Sequence, residues 1–205
     1  MAARVTPVAI DGGDWASRTT KWAAEEESGV EDRSLSSGTI WRFGKVETHF
    51  EIKAGAERFY DVFLNRPHHI PNMITSQTRE KLPSVDINDD DHFSGGKVGT
   101  LVSWNYIQDG KAKVAKEIIE AIDRENNSIT WKVIGGDLLE HYKSFKFIQQ
   151  ITTQQGDQAS SMVHLSLEYE KVDDNVPDPH ALLQLVIDIH KDVDAHLNIT
   201  TQSAA

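Results

Sequence analysis

Two stretches near the C-terminus have different periods, and the switch between them narrows the folds open to this chain. In "SMVHLSLEYEKV" (residues 161–172), Val163, Leu165, Leu167 and Tyr169 alternate with His164, Ser166, Glu168 and Glu170. Period 2 of that kind makes a strand with one buried face. Past Pro177 the rhythm changes, because Leu182, Val186, Ile189, Val193 and Leu197 follow one another at spacings of 4, 3, 4 and 4. This is the apolar stripe of a long helix, and it has to cover something. Asp178 is placed to act as its N-cap and Pro179 suits the first helical position.

The same two periods recur upstream. Val46, Thr48, Phe50 and Ile52 alternate with Lys45, Glu47, His49 and Glu51, a half-buried strand. In "AGAERFYDVFLN", Ala56, Phe59, Tyr60 and Phe63 carry helical spacing until Pro67 ends it. In "NRPHHIPNMI" (65–74) the prolines at 67 and 71 leave room for about one helical turn between them. Five more strands are predicted in "LPSVDIND", "KVGTLVSWNYI", "KAKVAKEIIEAID", "SITWKVI" and "YKSFKFIQQIT", the third entered by the hairpin turn "QDGK". Strand, helix, short helical piece, six strands and long helix is an α+β plan: a highly curved antiparallel sheet wrapped against one helix. A sheet curved in that way can leave a hollow.

Charge and composition remove several function classes. With 21 Lys and Arg against 32 Asp and Glu the formal charge is −11, which repels phosphate backbones and anionic membranes. Nucleic acid is not expected as a partner. No cysteine is present, so disulfides, thiolate metal sites and cysteine nucleophiles are excluded. No apolar run reaches the roughly 18 residues of a membrane span and no hydrophobic signal core begins the chain, so stable membrane insertion is not expected and the expected location is cytoplasmic. Residues 1–37 show no sustained period and read as a disordered extension, with Trp15 and Trp22 allowing a short docked helix. The domain is expected over 38–199, with 200–205 a flexible tail.

"GAERFYDVFLNRPHHIPN", "AKEIIEAIDRENNSITWKVIGGDLLEHYKSFKF" and "LEYEKVDDNVPDPHALLQLVIDIHKDVDAHL" resemble the plant major latex proteins, a branch of the Bet v 1-type superfamily. The resemblance covers roughly residues 43 to 197. It implies a helix-grip fold: a curved seven-stranded antiparallel sheet around the C-terminal helix, two short helices and an internal hydrophobic cavity. It also implies binding or carriage of an apolar or amphipathic plant metabolite or hormone, in a defence or stress setting and without a cofactor. The alternative it carries is a cofactor-free cyclase or isomerase of specialised metabolism, acting on a terpenoid or alkaloid intermediate. The superfamily's alkaloid-condensing enzymes place a Tyr and, two residues on, a Glu on one strand. Here those positions are Ala115 and Glu117, so half the pair is missing, and the enzymes' lysine and aspartate have no clean counterpart in the neighbourhood of Thr130, Trp131 and Leu139, which argues against a condensation of that kind.

Candidate site residues follow from strand faces and the helix stripe. Trp104 and Tyr106 share a face, as do Phe145 and Phe147; with Phe59, Trp131, Leu182, Val186 and Ile189 they are expected to line the pocket, and His69 to stand at its mouth. Extending the Phe145–Phe147 face backward reaches Lys143 and His141 as a polar end for the pocket, or as residues in water at a sheet end. For acid–base work the candidates are Glu117, His141, Lys143 and His68. No metal site is expected: adjacent histidines diverge and zinc needs three or four ligands. Counting from Asp86, the loop "DDDHFSGG" lacks the Gly and Glu that a calcium loop needs. Oligomeric state is left open.

Overall fold

The structure is a computed structural model that describes residues 6–9, 42–88, 93–154 and 160–202. Seven strands form the body: β2 (Phe43–Ile52), β3 (Ser84–Ile87), β4 (Leu101–Gln108), β5 (Lys111–Asp123), β6 (Ser128–Gly136), β7 (Tyr142–Thr153) and β8 (Ser161–Lys171). A short strand, β1 (Thr6–Ala9), precedes them. All neighbours pair antiparallel in the order β1-β2-β8-β7-β6-β5-β4-β3. The first and last body strands therefore lie side by side, with Val46 opposite Leu167 and Phe50 opposite Val163. Of the N-terminal extension, Trp15, Trp22 and most of the rest lie outside the described residues, but Thr6–Ala9 adds an eighth strand along β2.

Turns and bulges shape this sheet. Asp109 and Gly110 both have positive φ (52° and 72°), the backbone of the two-residue hairpin anticipated in "QDGK". Register shifts in β5 at Lys116/Glu117 and Ile119/Ala121, and in β7 at Tyr142/Ser144, bend the strands and redirect side chains. Gly44 is needed for close approach: a Cβ there would come within 2.5 Å of the Tyr169 ring across the pair.

Inside the curve lies α4 (His180–Gln202), with Leu183, Ile187, Val193 and Leu197 buried. The first intrahelical bond runs from Leu183 N–H to the Pro179 carbonyl, so Pro179 sits one place earlier than expected. The Asp178 side chain does not serve as the expected cap; it accepts from Tyr169 Oη (2.6 Å) and Lys171 Nζ (2.7 Å), tying β8 to the helix start. α1 (Ala56–Asn65), a 3-10 helix (Pro67–Asn72) and α2 (Ser76–Lys81) close one end of the curve. A four-residue helix, α3 (Leu138–His141), joins β6 to β7.

Carboxylates of α4 hold the closing helices in place. Asp194 accepts from the Lys53 and Ala54 N–H groups (3.1 and 2.8 Å), and Asp192 from Thr75 N–H and Oγ1 (3.0 and 2.8 Å). Burial pushes Asp192 up, but bonds from Thr78 and Thr75 outweigh it and leave the carboxyl below its ordinary value. Part of the negative charge read from composition is thus used for anchoring. Residues 89–92 of the acidic loop lie outside the described residues, while Gly96 N–H reaches Asn65 Oδ1 (3.0 Å) at the end of α1.

Candidate functional site

The inward faces of the strands and one face of α4 enclose a hollow. Trp104 and Tyr106 of β4, Ala115 and Glu117 of β5, and Trp131 of β6 form one wall. Phe147 and Gln149 of β7 with Leu165 and Leu167 of β8 form the other. From α4 come Leu182, Val186, Ile189 and His190, and Phe63 of α1 and Leu82 after α2 complete it. Its free volume is about 80 Å³, room for a handful of water molecules at roughly 10–15 Å³ of such space each. Most of the space inside the sheet is therefore filled by the lining itself.

Of the residues expected to line the pocket, Trp104, Tyr106, Trp131, Phe147, Leu182, Val186 and Ile189 do so, and Glu117 joins them. Three others are placed elsewhere. Phe59 lies behind the lining, its ring 5.3 Å from Phe63 and 5.8 Å from His190. Phe145 is fully buried in a cluster with Tyr142 (4.9 Å) and Tyr169 (5.9 Å). His69 and its neighbour His68 face solvent. The three-residue turn of the 3-10 helix puts Pro67 and Ile70 on the inner face and leaves both imidazoles outside. Their rings touch at 4.2 Å, and His68 is lowered by partial desolvation and then by the nearness of His69.

The polar end expected from Lys143 and His141 is corrected in the same way. The register shift between Tyr142 and Ser144 makes Lys143 the extra residue, so Tyr142 turns inward in its place. Lys143 points outward to Glu170 (2.9 Å) and His141 is exposed at the end of α3. The inward run instead continues forward, through Phe147 to Gln149. That extension was open to period-2 reading. His190 was also legible, since it stands four residues after Val186 and three before Val193 on the helix stripe.

Gln149 and His190 make one polar spot. His190 is 3% exposed, stacks on Phe63 at 4.2 Å, and has Nδ1 2.7 Å from the Val186 carbonyl and Nε2 2.7 Å from the Gln149 side-chain amide. Burial pushes its pKa down to about 4, so the ring is neutral at neutral pH. The side-chain oxygen of Gln149 is the atom placed against Nε2, but a neutral ring that donates from Nδ1 can only accept at Nε2, so the two ends of the amide are exchanged here and the NH2 faces the ring. One Gln149 amide atom is then left without a protein partner.

The second polar spot lies on the β4–β5 wall. Glu117 is 4% exposed, and burial pushes it up to about 8, against a smaller pull from the Trp104 indole N–H, which faces the carboxyl without reaching ordinary hydrogen-bond distance. Val102 is opposite Glu117 and Ala115 opposite Trp104, so Trp104 and Glu117 are diagonal neighbours on one face. Tyr106 is raised out of the ordinary phenol range by burial first, then by Asp137 and Glu117. Among the described residues neither Trp104 Nε1 nor Tyr106 Oη has a hydrogen-bond partner within 3.5 Å. Among the described residues no group of three or more His, Cys, Asp or Glu is placed to hold a metal ion, and no helix is long and apolar enough to cross a membrane.

A curved antiparallel sheet gripping a C-terminal helix around an apolar hollow defines the helix-grip class. Comparison with known proteins narrows the class to a family. Residues 42–200 match the Pathogenesis-related protein Bet v 1 family. MLP-like protein 43 of Arabidopsis thaliana is 45% identical over 154 residues, 75% of this chain and 92% of that protein. The crystal structure of ginseng major latex-like protein 151 from Panax ginseng superposes with a TM-score of 0.67 at 37% identity, covering 76% of this chain and 97% of that one. An Arabidopsis thaliana member of the major latex protein family, solved in solution, gives a TM-score of 0.55 at 41% identity over 80% of this chain and 99% of that one. The chain belongs to the Bet v 1 family, in its major latex protein-like branch. At the level of the family, the ligands are small and hydrophobic.

Proposed function

We propose that this protein binds and carries a largely apolar metabolite or hormone in the hollow between sheet and helix. The observation that carries this reading is the lining: aromatic and aliphatic side chains from β4 to β8 and α4 converge on unfilled space with only a few polar atoms among them. A well-packed core would leave no such space. Because the free volume is about 80 Å³, a larger guest enters by displacing lining side chains, among which Trp104, Phe147, Ile148 and Val186 are only partly buried. Family membership supports a defence or stress setting and a cytoplasmic location for this carriage.

Native mass spectrometry of the protein recovered from its own tissue tests the proposal, with one intact apolar compound as the expected result. Ala115→Leu is the control. It adds bulk to the hollow at a position 3% exposed, and is expected to abolish retention while costing no more than about 1–3 kcal/mol of stability. Recovery of the ligand with the blocked variant would sink the assignment to this cavity.

A second reading, a cofactor-free cyclase or isomerase, is favoured by Glu117 alone. A carboxyl held near 8 inside an apolar pocket can both give and take a proton close to neutral pH. Incubation with reactive terpenoid or alkaloid intermediates tests it. A change in product ratio that Glu117→Gln removes establishes turnover, and an unchanged ratio leaves carriage.

A further inference from the structure

Resting on the carrier reading, we propose that the β4–β5 wall recognises a neutral carbonyl oxygen on the ligand, received by the Trp104 Nε1–H and Tyr106 Oη–H donors. Both atoms are buried without a partner, and both belong to residues that line the same hollow. Tyr106 is 3% exposed, so its hydroxyl cannot turn to bulk water. An unmet buried donor carries the full cost of its desolvation, so a bond restored by a guest is worth more than one exchanged with solvent. Tyr60 and Thr48 also bury unpartnered hydroxyls, but neither lines this hollow. Gln149 also lines the hollow with one unpartnered amide atom, but its amide is engaged with His190; the β4–β5 wall carries two such donors, two residues apart on one strand.

Both free groups offer a donor, and only the phenol oxygen can also accept. An indole N–H only donates, and a phenol held far above its ordinary pKa keeps its proton. Glu117, diagonal to Trp104 on the same face, also keeps its proton near neutral pH and so adds no fixed negative charge. The complement is an oxygen acceptor. Its charge is limited by what surrounds it: among the described residues no Lys or Arg lines the hollow, and His190 is neutral and already bonded on both ring nitrogens. A carboxylate would enter with no counter-charge, which is expensive in an apolar cavity. A ketone, ester or lactone oxygen meets the donors without that penalty.

Three probes sharing one ring system test the inference on the full-length protein by isothermal titration at pH 7: 2-acetylnaphthalene, 2-ethylnaphthalene and 2-naphthoate. The ketone is expected to bind at least ten-fold tighter than the hydrocarbon, and the carboxylate weaker than both. Tyr106→Phe and Trp104→Phe should each shrink the ratio of ketone to hydrocarbon affinity several-fold, whichever way the altered lining moves hydrocarbon binding itself. Equal binding of ketone and hydrocarbon, tightest binding of the carboxylate, or a ketone preference untouched by both variants would overturn the carbonyl site while the carrier reading stands. Binding of none of the three would overturn both.

Discussion

The two polar spots of the cavity are built in opposite ways. On the β7–α4 side, His190 has a partner for each ring nitrogen at 2.7 Å, and only one Gln149 amide atom is left over. On the β4–β5 side, Trp104 and Tyr106 present donors with nothing to receive them, beside a carboxyl that burial keeps protonated. A satisfied buried network fixes the position of the elements that share it, here β7 and α4. An unsatisfied one weakens the empty protein and is repaid only when a guest arrives. The first spot ties β7 to α4, and the second is the one proposed above to receive the ligand.

Substitution of Glu117 tests the contrast with the largest expected effect. Between its ordinary value of 4.5 and its folded value of about 8, the unfolded chain has lost the proton that the folded chain keeps, so stability falls as pH rises through that window and is level outside it. Glu117→Gln removes the penalty. Urea titrations should show the variant gaining on wild type from pH 4.5 upward, by on the order of 5 kcal/mol above pH 8. Equal stabilities at pH 8 would mean that the carboxyl is not held neutral. His190 has the opposite sign: its folded value of about 4 lies below the ordinary 6.5, so its contribution is lost as pH falls from 6.5 toward 4.

Gln149→Leu should cost about 2 kcal/mol, because it strands the buried Nε2 of His190. Replacing both partners by leucine should recover most of the loss, within about 1 kcal/mol of wild type, since no polar atom is then left unmet. Additive losses in the denaturation midpoints would show that the two side chains do not depend on each other.

Tyr106→Phe should behave differently, because the hydroxyl it deletes has no partner to strand. The melting temperature of the empty protein is expected to stay level or rise, by no more than about 1 kcal/mol of stability. A clear loss would show that the hydroxyl is already bonded and would merge the two spots into one class.

Much of this arrangement was legible in the residues. Period 2 and the helix stripe carried the strands, α4 and the faces bearing Trp104, Tyr106 and Glu117. What escaped depended on single-residue irregularities. The β7 bulge reverses the parity of Lys143 and Tyr142, and a local insertion of that kind leaves no trace in the alternation downstream, where Phe145, Phe147 and Gln149 still share a face. Likewise "PHHIP" reads as a turn, but only the 3-10 geometry decides that Ile70 goes in and both histidines stay out. α2 was missed because its apolar content is slight; Thr75 caps it, accepting from Thr78 N–H, and Asp192 holds that cap from α4. A contact over 117 residues of sequence has no local signature.

The smallest effects are expected at the positions that face water. Lys143→Ala breaks a bridge to Glu170 between two partly exposed side chains, and such pairs are worth about 1 kcal/mol or less. His141→Ala removes an exposed side chain and should shift stability by under about 0.5 kcal/mol. Neither side chain lines the hollow, so affinity for 2-acetylnaphthalene should match wild type in both variants. A several-fold loss with Lys143→Ala would mean that the lysine leaves Glu170 and turns inward when a guest is bound. The bulge at Tyr142 and Ser144 would then be a movable register rather than a fixed one, and the polar end of the cavity would have to include β7.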